Sequence, residues 1–385
     1  MSPTYERIDG DGEYSVSSSG VDMVIDGDDV RHYLYGKRGN LYAATETGAG
    51  VTLGTPLVDH DCSQVGESYF YRCTVGDFVS ALVMPNNDLQ YLYSTSSSLQ
   101  SYQYPGPTYY EYAGGLNALA PGGSPVSLDF SEGGNSQMGA NGGFNDMAVD
   151  SQGLVHVAYQ KYQYQLLPGP EYRYWAVAYT NSDQWSGEPT IVDDSGDNWY
   201  RWIEVMVDSQ DTVYLGYYSY DYSDPGIRLA TLTKAGWTID AIVSPATYYS
   251  DPAFAVDDQD YLHLVYRDHD NSRLVYGTNQ SGSWLFEEVP DGSSDPSDPD
   301  NTAGLTLTID AADRPVVAYI NNTDKLLHYL VRDTAGWTDS SAAAPATVAT
   351  TTRIRLSWDS AGRLHLAYEA GHRLWHQWVD LTAEQ

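Results

Sequence analysis

The chain has 385 residues, with 19 Lys and Arg against 52 Asp and Glu for a net charge of -33, and it carries 34 Tyr and 35 Gly. That surplus of negative charge repels nucleic acid and anionic lipid, no Lys/Arg run offsets it, and no apolar stretch approaches the roughly eighteen residues of a membrane span. What is left is a β-rich chain, Asp-heavy and Lys-poor, suited to the extracellular space or a cell surface, with a halophilic cytoplasm as the alternative.

In chain order, the opening Met1-Ser2-Pro3-Thr4-Tyr5-Glu6 has neither a basic nor an apolar leader region, so export would need a signal already removed or an unconventional route. Thr4 to Asp9 reads as a strand. Asp26 to Tyr35 is the first copy of a recurring pattern: an apolar strand ending in Asp, a turn, then a second strand with His or another residue six positions on and Tyr nine positions on. Cys62 and Cys73 follow. A disulfide between them would close a short loop and stabilise by roughly 3 kcal/mol, against the alternative of two unpaired thiols. The second copy is degenerate, with Met84 at the Asp position and Tyr93 nine later. Its next hairpin is long and tyrosine-rich, with Tyr104, Tyr109, Tyr110 and Tyr112, and Glu132 to Gly143 then forms a glycine-rich loop. The third copy, Asp150 to Tyr159, is extended by a hairpin holding Tyr164, Tyr172, Tyr174 and Trp175; the fourth, Asp208 to Tyr217, has a shorter one with Tyr220 and Tyr222. Copies five to seven, Asp257 to Tyr266, Asp310 to Tyr319 and Asp359 to Tyr368, stay short. Asp9 to Glu13 and Asp291 to Asn301 are Asp-rich turns that complete no calcium-loop pattern.

After most copies a third strand opens on a basic residue and Leu, as at Arg228-Leu229, Arg273-Leu274, Lys325-Leu326 and Arg373-Leu374; a fourth opens on Trp185, Trp237, Trp284 or Trp337. Four short strands per unit, seven times, predict an all-β fold: one seven-bladed β-propeller over residues 1–385, with four-stranded antiparallel blades starting near 20, 77, 144, 202, 252, 304 and 353. The last copy stops after its third strand. Tyr5 lies 21 residues before Asp26, much as Trp237 lies 20 before Asp257, so residues 1–18 are expected to supply the strand that completes blade 7 and closes the ring. The repeated Asp is expected to accept turn N–H bonds, with Gly153 and Gly362 at positive φ. The repeated Tyr and His32, His156, His263 and His365 are expected to be architecture.

This blade pattern resembles that of bacterial seven-bladed propellers of the sialidase-like, BNR-repeat kind, which include lectins and polysaccharide lyases. The resemblance spans the chain but is one of blade pattern alone, because the Asp-turn and the Trp fall in different hairpins and no catalytic motif is matched.

Function is sought where copies depart from the common pattern. The tyrosine-rich hairpins of blades 2 to 4 share the top face, the one holding the second-to-third-strand hairpins. They are expected, with Trp202, to bind a glycan or a protein surface, against a purely structural role in zipping the hairpins. On the inner strands, the position four before the Asp should point into the channel; it holds Asp22, Ser80, Asp146, Glu204, Ala253, Thr306 and Arg355. Asp22, Asp146 and Glu204 could hold a calcium ion, or act with Arg355, Tyr200, Arg201 and His269 in a lyase or glycoside hydrolase, or simply form a hydrated rim. Asn145 and Arg353 flank this set. The expected partners are thus a glycan or protein surface, with no nucleic acid and no membrane insertion, for a monomer or a domain of a larger assembly.

Overall fold

The computed structural model describes residues 4–9, 16–37, 39–58, 69–101, 109–132, 143–165, 172–185, 187–194, 199–220, 224–244, 251–268, 270–271, 273–290, 302–321, 326–343 and 353–381. Seven four-stranded antiparallel sheets follow one another around a ring, each built from four strands consecutive in sequence except the seventh. In that blade Thr4–Asp9 pairs with Arg373–Val379 and becomes the outer strand, as its distance from Asp26 predicted. The inner strands are Val16–Ile25, Tyr69–Val83, Gly143–Val149, Trp199–Val207, Ala253–Val256, Thr302–Ile309 and Ile354–Trp358. Among the described residues there is no helix long and apolar enough to cross a membrane. Cys62 lies outside the described residues, as does the side chain of Cys73.

The repeated Asp closes the turn between first and second strands. Asp150 Oδ1 accepts from the N–H groups of Gln152 at 2.9 Å and Leu154 at 2.8 Å, and Asp208, Asp257, Asp310 and Asp359 repeat the arrangement. Three residues later every copy has positive φ, at Asp29, Asn87, Gly153, Asp211, Asp260, Asp313 and Gly362. The side chains at these positions have a use that the repeat alone did not reveal, since they tie one turn to the next. Asp211 accepts from Ser151 N–H of the preceding blade at 2.7 Å, Asp260 from Ser209 at 2.7 Å, and Asp29 from Ser360 at 2.8 Å across the closure. Blade 3 has Gly153 instead, and the donor that would face it is Pro85, which has no N–H.

The core lies between blades rather than within them. One seam packs Ala158, Val177 and Tyr179 of blade 3 against Tyr200, Ile203 and Leu215 of blade 4, and the other clusters follow the same scheme. Six of the seven repeated tyrosines are buried in these seams; Tyr266 is half-buried. Three direct their hydroxyls to an Asp on the outer strand of the preceding blade: Tyr35 to Asp9 at 2.7 Å, Tyr159 to Asp129 at 2.7 Å and Tyr217 to Asp193 at 2.8 Å. The Asp9 bond, joined by Lys37 Nζ at 2.9 Å, locks the N-terminal strand into the ring. His32, His156, His263 and His365 each reach the turn Asp six residues before them, at 2.8, 3.3, 3.1 and 3.1 Å, the architectural role expected from their repetition.

Candidate functional site

Just above the channel-facing position, five inner strands slip register: between Val16 and Val21, Val75 and Val79, Gly143 and Asp146, Arg201 and Glu204, and Ala303 and Thr306. Such bulges re-aim side chains. The address two residues before the channel position holds Phe78, Phe144, Trp202 and Arg353 in blades 2, 3, 4 and 7, and Gly20, Asp251 and Gly304 in the others. Gly304 takes φ of 67°, and Phe144 and Trp202 adopt the same left-handed region at 48° and 50°. A bulky residue held there carries about 1–3 kcal/mol of backbone strain, which concentrates at functional sites.

The rings so presented form a continuous band. Phe78 and Phe144 lie with centroids 4.9 Å apart, Phe144 and Trp202 5.7 Å apart, and Trp202 meets Tyr218 edge-on at 6.3 Å. The Arg353 guanidinium sits 5.6 Å from the centroids of both Phe78 and Phe144, and that of Arg201 sits 5.4 Å from Trp199 and 5.6 Å from Trp202. Outward from the mouth the band continues through Trp199 and Trp175, 6.5 Å apart, to Tyr162, 4.9 Å from Trp175. Trp199 is exposed and the rings nearest the channel are half-buried.

Beneath the band lies the polar ring, stitched from blade to blade. Asp22 Oδ2 accepts from Ala81 N–H at 2.7 Å, Ser80 Oγ donates to the Asn145 carbonyl at 3.1 Å, Asp146 Oδ2 accepts from Val205 N–H at 2.9 Å and Glu204 Oε2 from Phe254 N–H at 2.5 Å. Arg355 Nε pairs with Asp22 at 3.3 Å, while its buried Nη2 has no hydrogen-bond partner among the described residues. Burial raises the Asp22, Asp146 and Glu204 carboxyls; Asp146 adds to the effect on Glu204, which reaches about 7. Burial with Arg355 alongside pushes Arg353 down to about 10. The three carboxylates and two arginines therefore do converge on one channel mouth.

For a hard cation this set is a poor match. Calcium takes six to eight oxygen ligands, whereas here each carboxylate commits an oxygen to the next blade and two guanidiniums stand among them. Among the described residues no group of three or more His, Cys, Asp or Glu is placed to hold a metal ion.

The other sequence candidates divide. Arg201, Trp202 and Trp175 join the aromatic band, and Tyr220 is half-buried at the end of its strand. Tyr200 does not reach the mouth: it is fully buried in the blade 3 to blade 4 seam and donates to Asp193 at 2.9 Å, because the bulge between Arg201 and Glu204 breaks the alternation that would have carried it to the channel side. Tyr104, Tyr222 and His269 lie outside the described residues, as do the side chains of Tyr109, Tyr110, Tyr112, Tyr164, Tyr172 and Tyr174. Phe78 and Phe144 were not among the candidates. Aligning the copies at the address two before the channel position would have found them.

No family model matches the sequence, and no curated protein does. Among solved structures the chain is similar to an ulvan lyase described as a new polysaccharide lyase family, PL25, with a TM-score of 0.52 at 8% identity over 96% of this chain and 97% of that one. It is similar to that lyase bound to -[GlcA(1-4)Rha3S]- with a TM-score of 0.51 at 8% identity, again over 96% and 97%. Polysaccharide lyase Uly1 gives 0.50 at 9% identity over 94% and 90%. The chain thus shares its seven-bladed propeller fold with polysaccharide lyases along nearly its whole length, and at these identities the likeness is one of fold.

Proposed function

We propose that the protein is an extracellular or surface propeller that binds a glycan at the channel mouth of its top face, with sugar rings laid along Phe78, Phe144, Trp202 and Trp199 and their hydroxyls reached by Arg353 and Arg201. The observation that carries this reading is the strained presentation of Phe144 and Trp202, aromatic side chains in a backbone region that blade 6 fills with Gly304. Each ring also packs partly on a seam, Phe144 on that of blades 3 and 4 and Trp202 on that of blades 4 and 5, and remains half-buried at the mouth. Flat, half-exposed aromatic faces with a few polar groups at their edges suit carbohydrate, whose C–H faces are apolar and whose rim is hydroxylated. The net charge of -33 favours a neutral glycan over a polyanionic one. The tyrosine-rich hairpins of blades 2 to 4, expected on the same face, would extend the surface.

Isothermal titration against neutral oligosaccharides, chosen from a glycan array, tests this. The double variant Phe144→Ala, Trp202→Ala should weaken binding by at least about tenfold, since stacking on one aromatic ring contributes on the order of 1 kcal/mol or more. A blank array, or unchanged affinity in a folded double variant, overturns the reading.

A second reading, acid–base chemistry on carbohydrate, is favoured by one observation: the Glu204 carboxyl sits at about 7, where it can give up or take a proton near neutrality. Release of reducing ends or unsaturated products from mixed polysaccharides, lost in Glu204→Gln, would support it; no product from any of them would remove it.

A further inference from the structure

The seam that closes the ring, between blades 7 and 1, departs from two others on the face opposite this mouth. In the seam of blades 3 and 4, Tyr179 packs edge-on against Trp237 at 5.0 Å, and in that of blades 5 and 6 Tyr276 meets Trp337 at 5.3 Å. Strand register identifies the residues at these addresses in the closing seam. His376 pairs with Ala367 as Tyr179 pairs with Ala158, and Val51 follows the Thr47 and Gly50 pair as Trp237 follows that of Thr233 and Gly236. Arg31, five residues after the turn Asp, stands where the other six copies have Leu89, Val155, Val213, Leu262, Pro315 and Leu364. One seam has therefore exchanged an aromatic pair and an apolar residue for His, Val and Arg.

Beside His376 there is a pocket of about 370 Å³, lined also by Arg31, Glu46, Gly48, His365 and Trp378. A buried hydrogen-bonded chain runs along it. Asp359 Oδ2 lies 3.1 Å from His365 Nε2, His365 Nδ1 lies 2.8 Å from His376 Nε2, and His376 Nδ1 lies 3.0 Å from Glu46 Oε2. Tyr33 also donates to Glu46, and Arg31 pairs with it at 2.8 Å while keeping a buried Nε that has no hydrogen-bond partner among the described residues. Well-packed apolar residues would hold a seam at least as firmly as these buried charges, and the seams of blades 3 and 4 and of blades 5 and 6 place a Tyr–Trp pair there.

We infer that this seam pocket binds a small neutral polyhydroxylated ligand, a single sugar ring or a cyclic polyol. An anion entering it meets Glu46, Asp28 and Asp29, and a cation meets Arg31 and Arg363. A hydroxyl both donates and accepts, so a polyol can satisfy the two kinds of group side by side. Trp378, whose ring centroid lies 5.1 Å from the Arg363 guanidinium, lines the rim, and the volume falls in the range of small-ligand pockets. The site is independent of the aromatic band, which opens on the other face.

The test is saturation-transfer NMR and titration calorimetry with the methyl glycosides of glucose, galactose, mannose, fucose and rhamnose and with myo-inositol, using glucuronate and glucosamine as charged controls. Val51→Trp introduces the residue that blades 4 and 6 carry at this address and should fill the pocket while keeping or raising the melting temperature. Glu46→Gln removes one acceptor charge and serves as a second variant. At least one neutral probe should bind saturably, weaken by at least about tenfold in both variants through lost space or lost hydrogen bonds, and bind Trp202→Ala unchanged. Absence of saturable binding by every neutral probe, preference for a charged one, equal affinity in Val51→Trp and Glu46→Gln, or loss in Trp202→Ala would each overturn the inference.

Discussion

Replacing Glu204 with Gln should stabilise the protein at pH 8 and leave it nearly unchanged at pH 5. Burial, with Asp146 beside it, raises the Glu204 carboxyl from 4.5 to about 7. Between those values the folded protein holds a proton that the unfolded chain has released, so stability falls as pH rises through the window and the deficit is complete above about 7. At about 1.4 kcal/mol per pH unit, the separation sets a ceiling of about 3 kcal/mol on what the ionised group costs. Gln removes the charge while its amide oxygen can still accept the Phe254 N–H that Glu204 accepts at 2.5 Å. With an unfolding entropy of about 2 cal/mol/K per residue, 385 residues give about 0.8 kcal/mol/K, so the ceiling corresponds to roughly 4 °C in melting temperature. Calorimetric melts of both proteins at pH 5 and pH 8 measure the difference. An equal shift at the two pH values, or destabilisation at pH 8, would refute the electrostatic account of the channel mouth.

Three further outcomes are expected. Gly304→Ala should destabilise by at least about 2 kcal/mol in urea unfolding, because its φ of 67° disfavours any side chain and a Cβ there would stand 2.4 Å from Ile354 Cγ1. Truncation through Asp9 removes the outer strand of blade 7 together with the acceptor of Tyr35 and Lys37, so the melting temperature should drop and sedimentation should show association through the bared edge. His365, pushed by burial down to about 4 from 6.5, stays neutral where the unfolded chain takes up a proton; its contribution to stability therefore declines as pH falls from 6.5 to about 4, and His365→Asn should flatten that part of the urea-stability profile.

Much of the fold was legible because a propeller repeats its constraints. Asp150 and its counterparts mark a turn, the tyrosines from Tyr35 to Tyr368 mark a seam, and the spacing from Tyr5 to Asp26 located the closing strand. Alternation along the inner strands also found Asp22, Asp146, Glu204 and Arg355 at one mouth. It failed one step above them, because the bulges break the period of two on which that reading depends. Phe78 and Phe144 were missed there, and Tyr200 was assigned to the mouth although it lies in a seam. The closing seam was hidden for another reason. Val51 is unremarkable in itself, and its meaning comes from the indole absent beside His376, a relation between the two ends of the chain that only the closed ring brings together.

The most direct test of the central claim is a titration of the protein with a neutral oligosaccharide selected on a glycan array, followed through the fluorescence of the band tryptophans Trp199 and Trp202. The account predicts saturable binding that perturbs this emission and is lost in Phe144→Ala, Trp202→Ala while the fold survives. Binding that leaves the emission untouched and persists in the double variant would contradict it.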